Sequence, residues 1–277
     1  ADFFLLLRGV TMTLQKTFFS SFDDADPFPM RSWYLQHMAQ IAGIDEAGRG
    51  PVLGPLVVGL LSVPSGDEGM LIEQNISDSK HHSAKQREEQ YGWILQQAEE
   101  RDWYVDTIVC PPIKIDQGVA GEGLNILEVD LFASILNRHN KHHDTPCTIM
   151  LDACDVNEQR FTNRITTRMT NWPKENSTIH SEHKADANHR IVGGASIIAK
   201  VVRDRIMKEL QESLGFVIGS GYPSDPKTVA ALPNLIGPEE IHVDVRWSWA
   251  TVKRFWEEHY STPLPKRALG EGTLFSM

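Results

Sequence analysis

Apolar and polar positions alternate along this chain in two distinct rhythms, and the rhythms predict a mixed α/β protein. Residues 41–44 form a short apolar run that stops at two adjacent carboxylates, Asp45 and Glu46. A Gly48-Arg49-Gly50 turn follows, and then a second apolar run over 56–63. Two apolar runs joined by a glycine-rich turn predict a β-hairpin with polar chemistry at its bend. Residues 103–109 alternate enough for a strand, which Pro111 and Pro112 stop, and 148–151 is another apolar run. Helical spacing appears elsewhere. Ser83 and Gln86 have the form of a capping box opening a helix that runs to about Glu100. Leu124, Leu127, Leu131, Ile135 and Leu136 form a core-facing stripe after a turn at 118–123. Its cationic end, Arg138 to His143, suits a helix C-terminus; a histidine metal site there is the alternative reading. Helices are also predicted over 157–171, over 191–214 and over 247–260. In the second of these, Gly193, Gly194, Ala195, Ser196 and Ala199 allow close packing on a sheet.

The chemistry gathers where apolar runs end in acids. Asp45 ends the first strand, Asp152 ends the run over 148–151, and Asp186 stands just before the long small-residue helix. An unpaired carboxylate at the end of a buried strand is costly, so a hydrated divalent cation held by oxygen ligands is the expected partner. A lone acid at a strand end is more often a turn former or cap, but three such junctions point to a shared site. His180 and His183 have zinc-like spacing, yet an oxygen-rich set without a cysteine pair suits Mg²⁺ or Mn²⁺ better. Two glycines beside Arg49 leave amides and a guanidinium facing outward, which suits either a phosphate or sugar contact or a plain tight turn. Because adjacent strand residues face opposite ways, Asp45 and Glu46 reach one metal pair only with a bend, or through the Glu46 carbonyl or a water.

Composition bounds these readings. With 277 residues, 41% of them hydrophobic, the chain buries a full core. A net charge of −10 argues against gripping nucleic acid by general attraction, so nucleic-acid binding requires metals and a local basic rim, for which Lys200, Arg203 and Arg205 are candidates. Cys110, Cys147 and Cys154 make no C-x-x-C pair, and an odd count fits a reducing, cytoplasmic setting without a disulfide. The apolar run Phe3 to Leu7 is too short for a membrane span. Residues 1–37, acidic and proline-containing over 20–29, are expected to be a disordered extension.

Asp45-Glu46-Ala47-Gly48-Arg49-Gly50-Pro51 resembles the signature of ribonuclease HII, the type 2 ribonuclease H. Further segments resemble motifs of that family in family order: Asp78-Ser79-Lys80, Leu151-Asp152-Ala153, His183-Lys184-Ala185-Asp186, Ala195 to Asp204 and Gly219 to Pro226. The resemblance covers about 39–258 and looks most like the archaeal branch. It implies a ribonuclease H-like mixed five-stranded sheet flanked by helices over 38–214, a helical C-terminal lobe over 215–262 and a tail over 263–277. It implies endonucleolytic cleavage of the RNA strand of RNA–DNA hybrids, and cleavage 5′ of single ribonucleotides in duplex DNA, by a monomer without a membrane. By the same resemblance, Asp45, Glu46, Asp152 and Asp186 hold two Mg²⁺ or Mn²⁺ ions and carry the catalysis. Gly48, Arg49, Gly50, Lys80, Ser196, Lys200, Arg203 and Tyr222 would contact substrate. Ribonuclease HIII, a catalytically inactive hybrid-binding scaffold, and a Mg²⁺ phosphatase are the competing readings.

Overall fold

The computed structural model describes residues 39–76 and 82–268. The expected extension over 1–37, Lys80 and the end of the tail lie outside the described residues. Five strands form one sheet in the order β3-β2-β1-β4-β5. They are β1 (Gln40–Ala47), β2 (Leu56–Pro64), β3 (Tyr104–Cys110), β4 (Cys147–Asp152) and β5 (Thr178–Glu182). The first three make an antiparallel meander, and β4 and β5 add in parallel on the other side of β1. This is the ribonuclease H-like mixed sheet that the sequence resemblance implies.

Helices cover both faces: α1 (Glu68–Glu73), α2 (Ala84–Glu100), α3 (Pro112–Ala120), α4 (Leu124–His142), α5 (Glu158–Thr166), α6 (Ala185–Asn188) and α7 (Arg190–Leu214). Period-2 alternation along β1 decides which residue meets which layer. Ala42 and Ile44 pack with Leu127, Leu131 and Ile135 of α4, together with Phe161 of α5. On the other face, Leu61 and Val63 pack with Ile191, Ala195 and Ile198 of α7. That second contact is very close. A Cβ on Gly43 would stand 2.4 Å from the Ile191 backbone, and one on Gly59 would stand 2.6 Å from the Ala195 carbonyl. The small-residue segment of α7 therefore rests directly on the backbone of β1 and β2. A third cluster joins Val52 and Leu53, in the loop after β1, to Met207 of α7 and to a C-terminal helical lobe of α8 (Pro226–Leu235) and α9 (Ala250–His259).

The Ser83–Gln86 capping box is present in full, with both reciprocal hydrogen bonds. Other expectations need correction. The segment read as a turn at 118–123 is in its first part the end of α3. Pro112 opens that helix at its first turn, and Gly118 lets α4 approach, since a Cβ there would lie 3.0 Å from Leu127. Helix α5 stops at Thr166 rather than reaching 171. Asn137 captures the chain beyond it, donating to the Arg168 carbonyl and accepting from Thr170 N at 2.7 Å. The cationic end of α4 is not wholly solvated either: His139 is buried against Ser62, and burial pushes its imidazole down to about 4. Among the described residues no helix is long and apolar enough to cross a membrane.

Candidate metal centre

Three of the four expected acids meet at the ends of neighbouring strands. Carboxylate oxygens of Asp45, Glu46 and Asp152 lie within 4.8 Å of one another. The pairing of β1 with β2 runs without a slip from Gln40 to Ala47, Asp45 opposite Gly59 and Glu46 opposite Val58. The two carboxylates thus converge without a slip in the ladder. Asp45 faces α7 and Glu46 faces α4. Parallel pairing of β1 with β4 ends at Ile44 and Leu151, so both side chains reach Asp152 around the end of the sheet.

Each acid has its own support. Asp45 is 3% exposed and accepts from the Ser196 hydroxyl, which in turn accepts from Lys200 Nζ at 3.1 Å. Its Oδ1 also accepts from Glu46 N at 2.7 Å. Asp152 Oδ1 accepts from Ala185 N at 2.9 Å, which fastens the start of α6 to the end of β4 and brings buried Asp186 alongside. Asp186 stands outside the tight trio.

The electrostatics show what the cluster needs. Burial, and then the charges of Glu46 and Asp152, raise the Asp45 carboxyl well above the usual range. Burial, and then Glu128, push Glu46 up to about 8. Carboxylates so buried and so close are stable in their charged form only beside a cation. Oxygen donors in this number fit a hard divalent ion, so the cluster is a candidate metal-binding site.

Sequence reading missed three contributors. Glu128, fully buried on α4, forms a second close group with Glu46 and Cys154, and its Oε1 lies 2.8 Å from Arg49 Nε. A signal was available, since position 128 falls four residues after Leu124 and three before Leu131, within the core-facing stripe. The Cys154 thiol, expected only to form no disulfide, donates to Glu46 Oε2 at 3.2 Å. Arg246 of the C-terminal lobe is wholly buried beneath the Gly48-Arg49-Gly50 loop, and nothing local in the sequence marks it.

The loop itself lies beside the acids. Gly48 has φ +87°, and a Cβ there would meet Arg203 Nε at 2.4 Å, so the position requires glycine. Arg49 Nη2 donates to Asn125 at 2.6 Å. Tyr222 is 38% exposed and its ring borders Gly50. Ser196 is buried under Asp45, and Lys200 is half-buried. Arg203 departs from the expected basic rim: it is buried, and donates to the carbonyls of Pro55, Leu53 and Ser220. Arg205 is tied to Glu88 at 2.6 Å. Both arginines are thus engaged by the protein itself.

A mixed sheet of this topology, with clustered carboxylates at the ends of its central strands, fits a metal-dependent nuclease of ribonuclease H-like fold, and the comparisons with known proteins give that class. A family model described as "Ribonuclease HII" matches residues 42–252. Ribonuclease HII of Methanococcus maripaludis is 41% identical over 219 residues, covering 79% of this chain and 87% of that protein. Ribonuclease HII of Thermococcus kodakarensis is 40% identical over 221 residues, covering 79% and 90%. The crystal structure of ribonuclease H2 from Pyrococcus horikoshii superposes with a TM-score of 0.66 at 36% identity, covering 79% of this chain and 98% of that one. The chain belongs to the ribonuclease HII family, on the side of its archaeal members.

Proposed function

We propose that this chain is an endoribonuclease that cleaves the RNA strand of RNA–DNA hybrids and the 5′ side of single ribonucleotides in duplex DNA, leaving 5′-phosphate and 3′-hydroxyl ends. The observation that carries the reading is the trio Asp45, Glu46 and Asp152 set beside the Gly48-Arg49-Gly50 loop on this fold. Asp45, Glu46, Asp152 and Asp186 would hold two Mg²⁺ or Mn²⁺ ions, which supply an activated water and charge neutralisation at the scissile phosphate.

The rest is the work of the protein's own groups. The Lys200–Ser196 pair fixes the Asp45 carboxylate by hydrogen bonds, so its lone pairs keep one direction. The amide of Ala185 does the same for Asp152. Amides of the 48–50 loop and the Arg49 guanidinium are assigned the reading of the ribose 2′-hydroxyl, the group that separates RNA from DNA. Tyr222 offers a flat apolar face to the adjoining sugar. Arg203 acts from beneath, as the support on which Tyr222 and the loop rest, its guanidinium 5.5 Å from the ring. Lys80 is assigned a substrate phosphate. With a net charge of −10, attraction for nucleic acid would come from the bound ions and the cations of this site rather than from the surface as a whole. The chain works as a monomer in the cytoplasm.

Three end-labelled duplexes test the reading with Mg²⁺ and with Mn²⁺: DNA with one ribonucleotide, a long RNA–DNA hybrid, and DNA alone. The expected result is a cut 5′ of the ribonucleotide and cuts throughout the RNA strand, with the DNA duplex intact. Binding of the hybrid without cleavage under either metal would favour the inactive scaffold. Hydrolysis of a phosphomonoester alone would favour a phosphatase.

A further inference from the structure

Two tethers from the C-terminal lobe converge on the loop beside the acids. Arg246 Nη2 donates to the Gly48 carbonyl at 2.6 Å, Nη1 to the Arg49 carbonyl at 3.0 Å and Nε to the Gly54 carbonyl at 2.9 Å. Trp249 Nε1 donates to the Gly50 carbonyl at 3.0 Å. The Arg246 guanidinium lies 4.9 Å from the Trp249 ring centre, so the two tethers brace each other. From the opposite side, the Arg49 side chain is held by Glu128 and Asn125 of α4.

Peptide planarity converts this carbonyl grip into a statement about the amides. In a trans peptide the C=O of one residue and the N–H of the next point in opposite directions. Pulling the Gly48 and Arg49 carbonyls towards the lobe therefore turns the N–H groups of Arg49 and Gly50 away from it, towards the side where Gly50 is exposed. A guanidinium reaches three carbonyls at once because its donors form a rigid planar fork; an ammonium has no such fork.

We propose that Arg246 and Trp249 are positioning residues that set selectivity for the ribonucleotide, by holding the amides of the 48–50 loop towards the substrate. This rests on the endoribonuclease reading above. Neither residue belongs to the carboxylate cluster, so selectivity and metal-dependent chemistry respond separately to substitution. A single embedded ribonucleotide offers one 2′-hydroxyl, and its cleavage depends fully on the loop. A long hybrid offers a 2′-hydroxyl in every register, and tolerates a displaced loop better.

The test measures kcat and KM for Arg246→Lys, Trp249→Phe and the parent, on the single-ribonucleotide duplex and on the long hybrid, with melting curves for each protein. Misplacement of a substrate-aligning group by an ångström costs about 100-fold. We expect Arg246→Lys to lose about that much on the single ribonucleotide and about tenfold less on the hybrid. Trp249→Phe, which keeps a smaller aromatic face and loses the indole N–H donor, shifts the same ratio less. General loss of folded protein lowers both substrates together and leaves their ratio unchanged. An unchanged ratio in Trp249→Phe, or in folded Arg246→Lys, overturns the proposal. If Arg246→Lys does not fold, Trp249→Phe alone decides. A parent that cuts neither substrate overturns the functional reading, and this inference with it.

Discussion

Substituting Gly43 by alanine tests the packing on which the site depends. The new Cβ would lie 2.4 Å from the Ile191 carbonyl carbon and oxygen and 2.6 Å from Val192 N. These are backbone atoms near the start of a 25-residue helix, and they cannot rotate away as a side chain would. Overpacking of this kind costs about 1–3 kcal/mol, and the immobility of α7 places this case near 3. Reduced freedom of the unfolded chain offsets about 0.5 kcal/mol, leaving about 2.5. In a domain of this size that lowers Tm by roughly 5–10 °C. Gly92, exposed on α2 with nothing within 4 Å of its would-be Cβ, supplies the opposite sign. Gly92→Ala gains about 0.5–1 kcal/mol of helix propensity and raises Tm by roughly 1–4 °C. Thermal denaturation followed by circular dichroism reads both. A Gly43→Ala melting point within about 2 °C of the parent, or shifts of the same sign in both variants, would refute the close β1–α7 contact.

Asp45→Asn should raise the Tm of the metal-free protein by a few degrees, because it removes a buried charge flanked by Glu46 and Asp152. Added Mg²⁺ should stabilise the parent but not this variant, and calorimetric melts with and without chelator distinguish the two. Asp155, 1% exposed and held by Arg160 and Arg164, has its carboxyl lowered to about 2, chiefly by the Arg160 hydrogen bonds. A depressed folded pKa gives stability that is complete above the unfolded value and is lost as pH falls from about 4 towards about 2. Solvent screening of the half-exposed arginines limits the effect to about 1 kcal/mol, so Asp155→Ala should melt lower than the parent at pH 7 and converge with it near pH 2. Burial pushes the Cys110 and Cys147 thiols up to about 12. Both should resist a thiol reagent at pH 8 until the chain is unfolded, and rapid labelling of either in the native protein would contradict its burial.

The parts of the fold that are legible in the sequence are those whose cause is local. An apolar run ending in Asp45-Glu46 or in Asp152 carries both the strand and its chemistry within a few residues. The Ser83–Gln86 box and the small-residue face of α7 are similarly self-contained. Arg246 illustrates the opposite case, since its partners lie 192 to 198 residues away and no neighbouring residue hints at them. Arg203 misleads for the same reason, because a cation on a helix reads as a solvent-facing group until three distant carbonyls are seen to surround it. Gly118 reads as a turn because its packing partner, Leu127, belongs to the next helix. Glu128 was readable in principle. A charge inside an apolar stripe needs a partner, and Arg49, 79 positions earlier, is outside any local window.

Metal-dependent cleavage at a ribonucleotide is the role proposed for the Asp45 cluster. Its most direct test incubates the single-ribonucleotide duplex with the parent and with Asp45→Asn, side by side, in Mg²⁺, beside an all-DNA duplex. One cut on the 5′ side of the ribonucleotide by the parent, none by the variant, and an intact DNA duplex are the expected results. Equal cleavage by a correctly folded Asp45→Asn protein would contradict that role.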